Sequence, residues 1–139
     1  MPEGQDRHPE DPRPGPAWVS VCPAIALVDG GEGVRFDLVP QSGERSPIAA
    51  FVVRHKGRAF AYVNQCAHVP VELDWQPGHF FDEEGEHLIC ATHGATYRPH
   101  DGVCIAGPCR GRRLQSLDCE EHGGQIWVRS RNDERRRGE

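Results

Sequence analysis

Two short segments constrain this chain more than anything else in it. NQCAHVP (64–70) and ICATHGATY (89–97) each place a cysteine close to a histidine, directly after an apolar run. Cys66 and His68 are separated by one residue, Cys90 and His93 by two, and residues 69 to 89 lie between the halves. One thiol and one imidazole are too few to hold a metal, whereas two of each complete a set of four donors. For the halves to act together, the fold must bring two loops face to face, with a strand behind each to aim it. Zinc fingers group their cysteines and then their histidines, and carry the latter on a helix. Here each loop contributes one of each, an arrangement suited to a site with two metal atoms.

The rest of the chain agrees with a strand-and-turn frame. Its 139 residues make one domain, with 16 glycines and 12 prolines favouring short strands and turns over long helices. WVSVC (18–22) is predicted as a first strand, DGGEG (29–33) as a turn, and VRFDLV (34–39) as a half-buried strand with alternating apolar residues. IAAFVVRHKGRAFAYVN (48–64) predicts a hairpin with Gly57 available for positive φ. HLICAT (87–92) predicts a short strand, and residues 111–130 a final hairpin turning at Gly123-Gly124. No stretch sustains a helical period, and CPAIALVD (22–29) allows one helical turn at most. The fold class expected is therefore all-β, built from small antiparallel sheets. Pro2, Pro9, Pro12, Pro14 and Pro16 crowd a segment with almost nothing apolar, so residues 1–16 are expected to be a disordered tail. Residues 131–139 are expected to be a charged C-terminal tail after a domain spanning 17–130.

A net charge of −5 argues against general nucleic-acid binding. No run reaches the roughly 20 apolar residues of a membrane span, and the N-terminus has no apolar secretory core. The cytoplasm is the expected compartment, where thiols stay reduced. Cys22 and Cys119, on predicted strands, read as small buried hydrophobes. His8, His55, His79, His87, His100 and His122 read as surface residues, and DWQPGHFFDEEGEH (74–87) as a solvated loop closed by a small hairpin.

The sequence CAH…CATHGATY…GVCIAGP resembles the Rieske iron–sulfur family, whose signature is Cys-x-His, a spacer, then Cys-x-x-His-Gly, followed by a glycine-proline loop matched here by Gly107-Pro108. The resemblance runs from about Trp18 to Ser130. It implies stacked antiparallel sheets with a cluster-binding subdomain made by two ligand loops. It also implies one [2Fe-2S] cluster per chain, with Cys66 and Cys90 on a buried iron and His68 and His93 on an outer iron near the surface. Histidine in place of cysteine makes such a centre less negative and raises its potential above all-thiolate ferredoxins. The outer imidazoles also imply a potential that falls at alkaline pH.

Around the ligands, the resemblance singles out Gly94, Tyr97 and Pro108. In the high-potential branch a tyrosine four residues after the last ligand hydrogen-bonds a ligand sulfur, which stabilises the reduced cluster. Tyr97 stands there, the alternative reading being an ordinary core aromatic. That branch also has a serine donor where Ala95 stands here, and a disulfide between its loops where Val71 and Thr92 stand. The resemblance thus implies a potential in the lower or middle part of a range of about −150 to +300 mV. Cys104 and Cys109 bracket the Gly-Pro turn. A disulfide there is one reading, and two reduced thiols are favoured in the cytoplasm.

A cluster alone moves one electron. There is no dinucleotide fingerprint, and the chain ends about ten residues after its last predicted strand, so no second, mononuclear-iron domain and no membrane anchor are expected. The reading is a ferredoxin that takes an electron from a reductase and delivers it to a terminal oxygenase or similar enzyme. The alternatives are a small, permanently bound subunit of a larger oxidoreductase (a nitrite-reductase-like or ring-hydroxylating dioxygenase assembly) and a zinc-stabilised interaction module. Arg110, Arg112 and Arg113 are expected near the exposed histidines, where they would orient an acidic partner.

Overall fold

The computed structural model describes residues 17–39 and 47–130; the tails expected at 1–16 and 131–139, and His8, lie outside them. Among the described residues nine strands form two antiparallel sheets. The larger, of six strands, is ordered β1 (Val19–Pro23), β9 (Gln125–Arg129), β8 (Ser116–His122), β4 (Arg58–Val63), β3 (Ile48–His55), β2 (Val34–Leu38). The smaller, of three strands, is ordered β5 (Leu88–Ile89), β6 (Thr96–Tyr97), β7 (Cys104–Ala106). The one helical element among the described residues is a 3-10 turn at Ala24–Ala26, as the sequence allowed.

The β3–β4 hairpin is the keel. Its turn places Lys56 at φ 52° and Gly57 at φ 82°, the paired left-handed conformation whose twist matches antiparallel strands. The Asp29 carboxylate accepts both turn amides, Lys56 N at 2.8 Å and Gly57 N at 2.6 Å. This ties the 29–33 turn to the hairpin tip and holds the Asp29 carboxyl below the usual carboxylate range.

β3 is buried on both faces, and the two-residue period sorts its side chains between two cores. Ala50 and Val52 face one core, with Cys22, Leu27, Leu38, Ala61, Val63, Leu117, Ile126 and Val128. Phe51 and Val53 face the other, with Tyr62, Leu73, Phe80, Leu88, Tyr97 and Leu114. Phe51 stacks on Phe80 with ring centroids 4.0 Å apart and packs against Tyr62 at 5.9 Å. The second core therefore welds the small sheet and the loops around it onto the large one. Tyr62 fastens the same seam by donating its hydroxyl to Pro99 O at 2.6 Å.

Two expectations need correcting. Segment 74–87 does close on a small hairpin, with Phe81 bridging Leu88 and Asp82 N bonded to His87 O at 2.8 Å. It is not simply a solvated loop, because Phe80 is fully buried and Asp74 is 6% exposed. The long connection between β4 and β5 crosses the apolar face of β3, and Phe80 fills that face by stacking on Phe51. His55 is likewise not a surface residue: its side chain is 11% exposed and its ring lies against Phe81. His79, His100 and His122 are exposed, as expected, and His87 is half-buried.

Candidate metal centre

The first ligand loop leaves β4 at Val63 and is pinned at both ends by one buried amide. Asn64 Oδ1 accepts Leu73 N at 2.9 Å and Asn64 Nδ2 donates to Asp74 Oδ1 at 3.1 Å. Asp74 Oδ2 in turn accepts Gly78 N at 3.0 Å and lies 3.5 Å from Arg35 Nε. Within the loop, Cys66 N bonds Val71 O at 2.8 Å, which draws Cys66 inward and throws residues 67–70 outward. The second loop is a tighter turn between β5 and β6. Cys90 N bonds Ala95 O and Gly94 N bonds Cys90 O, both at 2.9 Å, with Gly94 at φ 76°. A single backbone bond, Ala91 N to Leu73 O at 3.0 Å, holds the two loops side by side.

A third loop, 107–111, lies over the second. Gly107 sits at φ 100°, and a side chain there would place Cβ 2.9 Å from Ala95 Cα. Both the conformation and the close approach demand glycine. Pro108 is exposed on the outer side of this turn. Arg112 Nη1 reaches from its base to Ala67 O at 3.3 Å.

These loops bring the four candidate donors together. Cys66 and Cys90 are 3% and 0% exposed, adjacent at the floor. Above them His68 is half-buried and His93 exposed, with ring centroids 5.1 Å apart and planes at 74°. Burial opposes ionisation of Cys66. Hydrogen bonds from the Tyr97 hydroxyl and from the His68 and Val69 amides outweigh it, so its thiol lies below the ordinary value. At Cys90 burial prevails over the amides of Thr92 and His93, and the Cys66 sulfur beside it adds to the rise.

Tyr97 lies at the centre of the floor. Its Oη is 3.1 Å from Cys66 Sγ, accepts Ala67 N at 3.0 Å and accepts Cys109 Sγ at 3.3 Å. A hydroxyl has one proton and two lone pairs. The Ala67 amide takes one lone pair, the Cys109 thiol lies within reach of the other, and the Tyr97 contact lowers the Cys66 thiol as a donor does, so the tyrosine is a sulfur donor and not merely a core aromatic. Ala95, fully buried, brings no donor of its own.

Among the described residues two buried side-chain nitrogens have no hydrogen-bond partner: His55 Nε2, far from the ligand loops and 3.6 Å from Glu86, and His68 Nδ1. An orphaned ring nitrogen costs free energy unless something else satisfies it. The His68 nitrogen sits on the imidazole that faces His93 over two buried sulfurs. Among the described residues no three His, Cys, Asp or Glu side chains gather around one point. The donors form pairs, soft thiolates below and imidazoles above. Such a set fits a two-metal group better than a single tetrahedral ion.

Residues 17–119 match the family described as Rieske [2Fe-2S] domain. The chain belongs to that family. Rieske domains carry a [2Fe-2S] cluster, and the paired donors and the unpartnered nitrogen found here are what such a group would satisfy. Among solved structures, this Rieske chain is similar to the ferredoxin of carbazole 1,9a-dioxygenase from Nocardioides aromaticivorans IC177, at 24% identity and a TM-score of 0.64, covering 82% of this chain and 98% of that one. It is also similar to the terminal oxygenase of carbazole 1,9a-dioxygenase from the same organism, at 22% identity and a TM-score of 0.65, covering 81% of this chain but 30% of that one. A third match is a complex of reduced oxygenase and oxidized ferredoxin in carbazole 1,9a-dioxygenase, at 21% identity and a TM-score of 0.62, covering 83% of this chain and 94% of that one. Against another such complex the Rieske chain spans 27% of the matched chain. No curated protein matches it.

The arginine knot divides. Arg112 does lie against the first ligand loop, and Arg110 is exposed on the turn beside it. Arg113 does not join them; it bridges Val103 and lines a cavity with Tyr62, His100 and Ser116. Alternation along the 112–113 backbone sends the two side chains to opposite faces. Sequence reasoning missed the Asn64–Asp74–Arg35 anchor altogether. Its members lie far apart in sequence, and only the buried carboxylate betrays them. It also missed Cys109 as a donor to Tyr97.

Proposed function

We propose that this chain is a one-electron carrier, a Rieske-type ferredoxin that takes an electron from a reductase and passes it to a terminal oxidoreductase. Cys66 and Cys90 would hold the inner iron of its single [2Fe-2S] cluster, and His68 and His93 the outer one. The observation that carries this reading is the buried, unpartnered His68 Nδ1, set beside His93 above two buried sulfurs. When bound, the cluster supplies a site that accepts and releases one electron.

The chain's own residues do the rest. The Asn64–Asp74 anchor and the Gly107 contact hold the loops in place, which limits reorganisation on electron transfer. The floor of Phe80, Leu88, Tyr97 and Leu114 keeps water from the sulfur side. Tyr97 directs its proton at Cys66. His93 is exposed and so open to a partner, and Arg112, against the first ligand loop, with Arg110 on the turn next to it would orient an acidic surface. The match to a ferredoxin over 98% of that chain's length supports a free-standing carrier. The match to 30% of an oxygenase chain supports the second reading, a domain held permanently within a larger oxidoreductase. Gel filtration of native extract separates the two: a carrier elutes as a small species, a bound subunit with its complex. We take 17–130 as the working domain and, from the absence of an export signal noted in the sequence, the cytoplasm as its compartment. Among the described residues no helix is long and apolar enough to cross a membrane.

The test is iron and acid-labile sulfide analysis of anaerobically purified protein, followed by a redox titration read by EPR. A red-brown protein with equal iron and sulfide and a rhombic signal on reduction is expected. A colourless protein containing zinc would overturn the reading. Cys90→Ser should lose the cluster; full occupancy in that variant would refute the ligand assignment.

A further inference from the structure

Cys104 and Cys109 have no part in the four-donor set, yet they are among the most buried residues in the chain, at 1% and 2% exposed. Their sulfurs are 2.8 Å apart and both are free thiols. A formed disulfide spans about 2.05 Å, so closure needs less than an ångström of motion. The backbone already brackets the pair, with Gly111 N bonded to Cys104 O at 3.0 Å, Arg112 N to Cys109 O at 2.8 Å and Cys104 N to Arg112 O at 2.7 Å. Cys104 Sγ donates to Ala106 O at 3.2 Å. That leaves the Cys109 proton to serve either the Cys104 sulfur or Tyr97 Oη, at 3.3 Å from the latter. Tyr97 is the residue whose proton reaches Cys66.

We propose that Cys104 and Cys109 form a second redox site, a dithiol that closes to a disulfide, and that its state is transmitted to Cys66 through the Tyr97 hydroxyl. The oxidant is an external disulfide, RSSR. The Cys109 thiolate attacks one of its sulfurs, forming a mixed disulfide and releasing RS⁻. The Cys104 thiolate then attacks Cys109 Sγ and releases the second RS⁻, and the two thiol protons leave with the two RSH formed. The protein pair loses two electrons, and RSSR gains them. Cys109 lies in an exposed turn between Gly107 and Gly111, so brief opening of residues 107–111 admits the reagent. Burial and the Cys104 sulfur push the Cys109 thiol up to about 11, which keeps it protonated at neutral pH and makes the exchange slow.

Closure removes the Cys109 S–H. Tyr97 Oη then loses the share of that proton it held beside the Ala67 amide, and its own O–H becomes a weaker donor to Cys66, because linked hydrogen bonds reinforce one another. Weaker donation to a ligand sulfur favours the oxidised cluster. The disulfide form therefore has the lower cluster potential. The disulfide stands by itself; its coupling to the potential rests on the cluster assignment proposed above.

The full-length, cluster-loaded protein is equilibrated in glutathione buffers from reducing to oxidising, then acid-quenched, alkylated and mapped by mass spectrometry. All six cysteines should be alkylated at the reducing end, and a linked Cys104–Cys109 peptide should replace two alkylations at the oxidising end. Alkylation of both residues at every poise overturns the site. EPR titration of the same samples should give a lower midpoint potential in the disulfide form, and no dependence on poise in Cys104→Ala or Tyr97→Phe. An identical potential in the two wild-type forms overturns the coupling. Iron and labile sulfide are assayed in parallel. Their absence would sink the cluster reading while leaving the thiol mapping to decide the disulfide.

Discussion

Replacing Tyr97 by Phe tests the floor of the site with one atom. The ring, carried by β6, is fully buried in the core that holds Cys66 and Cys109, so Phe fits the same space, and only the hydroxyl is lost. Three contacts go with it: the bond to Cys66 Sγ at 3.1 Å, and the acceptor for Ala67 N and Cys109 Sγ. A hydrogen bond to a charged sulfur contributes about 1.5–3 kcal/mol, and the share that differs between the two cluster charges is about 1 kcal/mol. For a one-electron couple a tenfold change, about 1.4 kcal/mol, corresponds to about 59 mV, so the variant's potential should lie about 40 mV below wild type. Burial, with the Cys109 and Cys66 contacts behind it, pushes the Tyr97 hydroxyl far above its ordinary value. The donor therefore stays protonated, and the gap between variant and wild type should be constant from about pH 6 to about pH 10. The assay is an EPR-monitored titration of both proteins. A shift smaller than about 10 mV, or one to higher potential, would refute the assignment of Tyr97 as a sulfur donor.

Removing the Asp74 carboxylate in Asp74→Ala orphans Asn64 Nδ2 and Gly78 N, each at about 1–3 kcal/mol, so urea unfolding should show a loss of about 2–6 kcal/mol together with faster cluster release; wild-type stability would show that the anchor is not structural. Burial opposes ionisation of Asp82, but the Glu86 and His87 amides outweigh it and hold its carboxyl below the usual range. Its folded value being the lower one, its stabilisation is complete above the unfolded value of about 3.9 and is lost as pH falls through the folded value. Asp82→Asn should therefore flatten the acid limb of a Tm-versus-pH curve, and an unchanged limb would contradict the sign. Arg110→Glu with Arg112→Glu should slow reduction by the partner reductase and weaken its salt dependence, whereas Arg113→Glu, on the other face, should do far less; stopped-flow traces at several ionic strengths distinguish them.

The sequence on its own determined the strands of the large sheet, the start of β5, the hairpin turns and the four candidate donors, but not the short strands β6 and β7. Those features are local: a two-residue alternation, a glycine where φ must be positive, a cysteine and a histidine one or two positions apart. Phe36 and Leu38 facing inward, or Lys56-Gly57 turning, follow from short-range sterics and need no knowledge of the rest of the chain. Only the tertiary structure decided which donors meet and how unequally they are buried. It buried Phe80 against Phe51 on the open apolar face of β3, and it buried Asp74 by pairing it with Asn64 and the Gly78 amide, contacts that the charged segment 74–87 does not announce. It sent Arg112 and Arg113 to opposite faces, and it brought Cys109 against Tyr97 and Tyr97 against Cys66, three positions on three different loops or strands. Contacts of that kind arise from how two sheets pack over a shared core, and no pattern within ten residues encodes the packing.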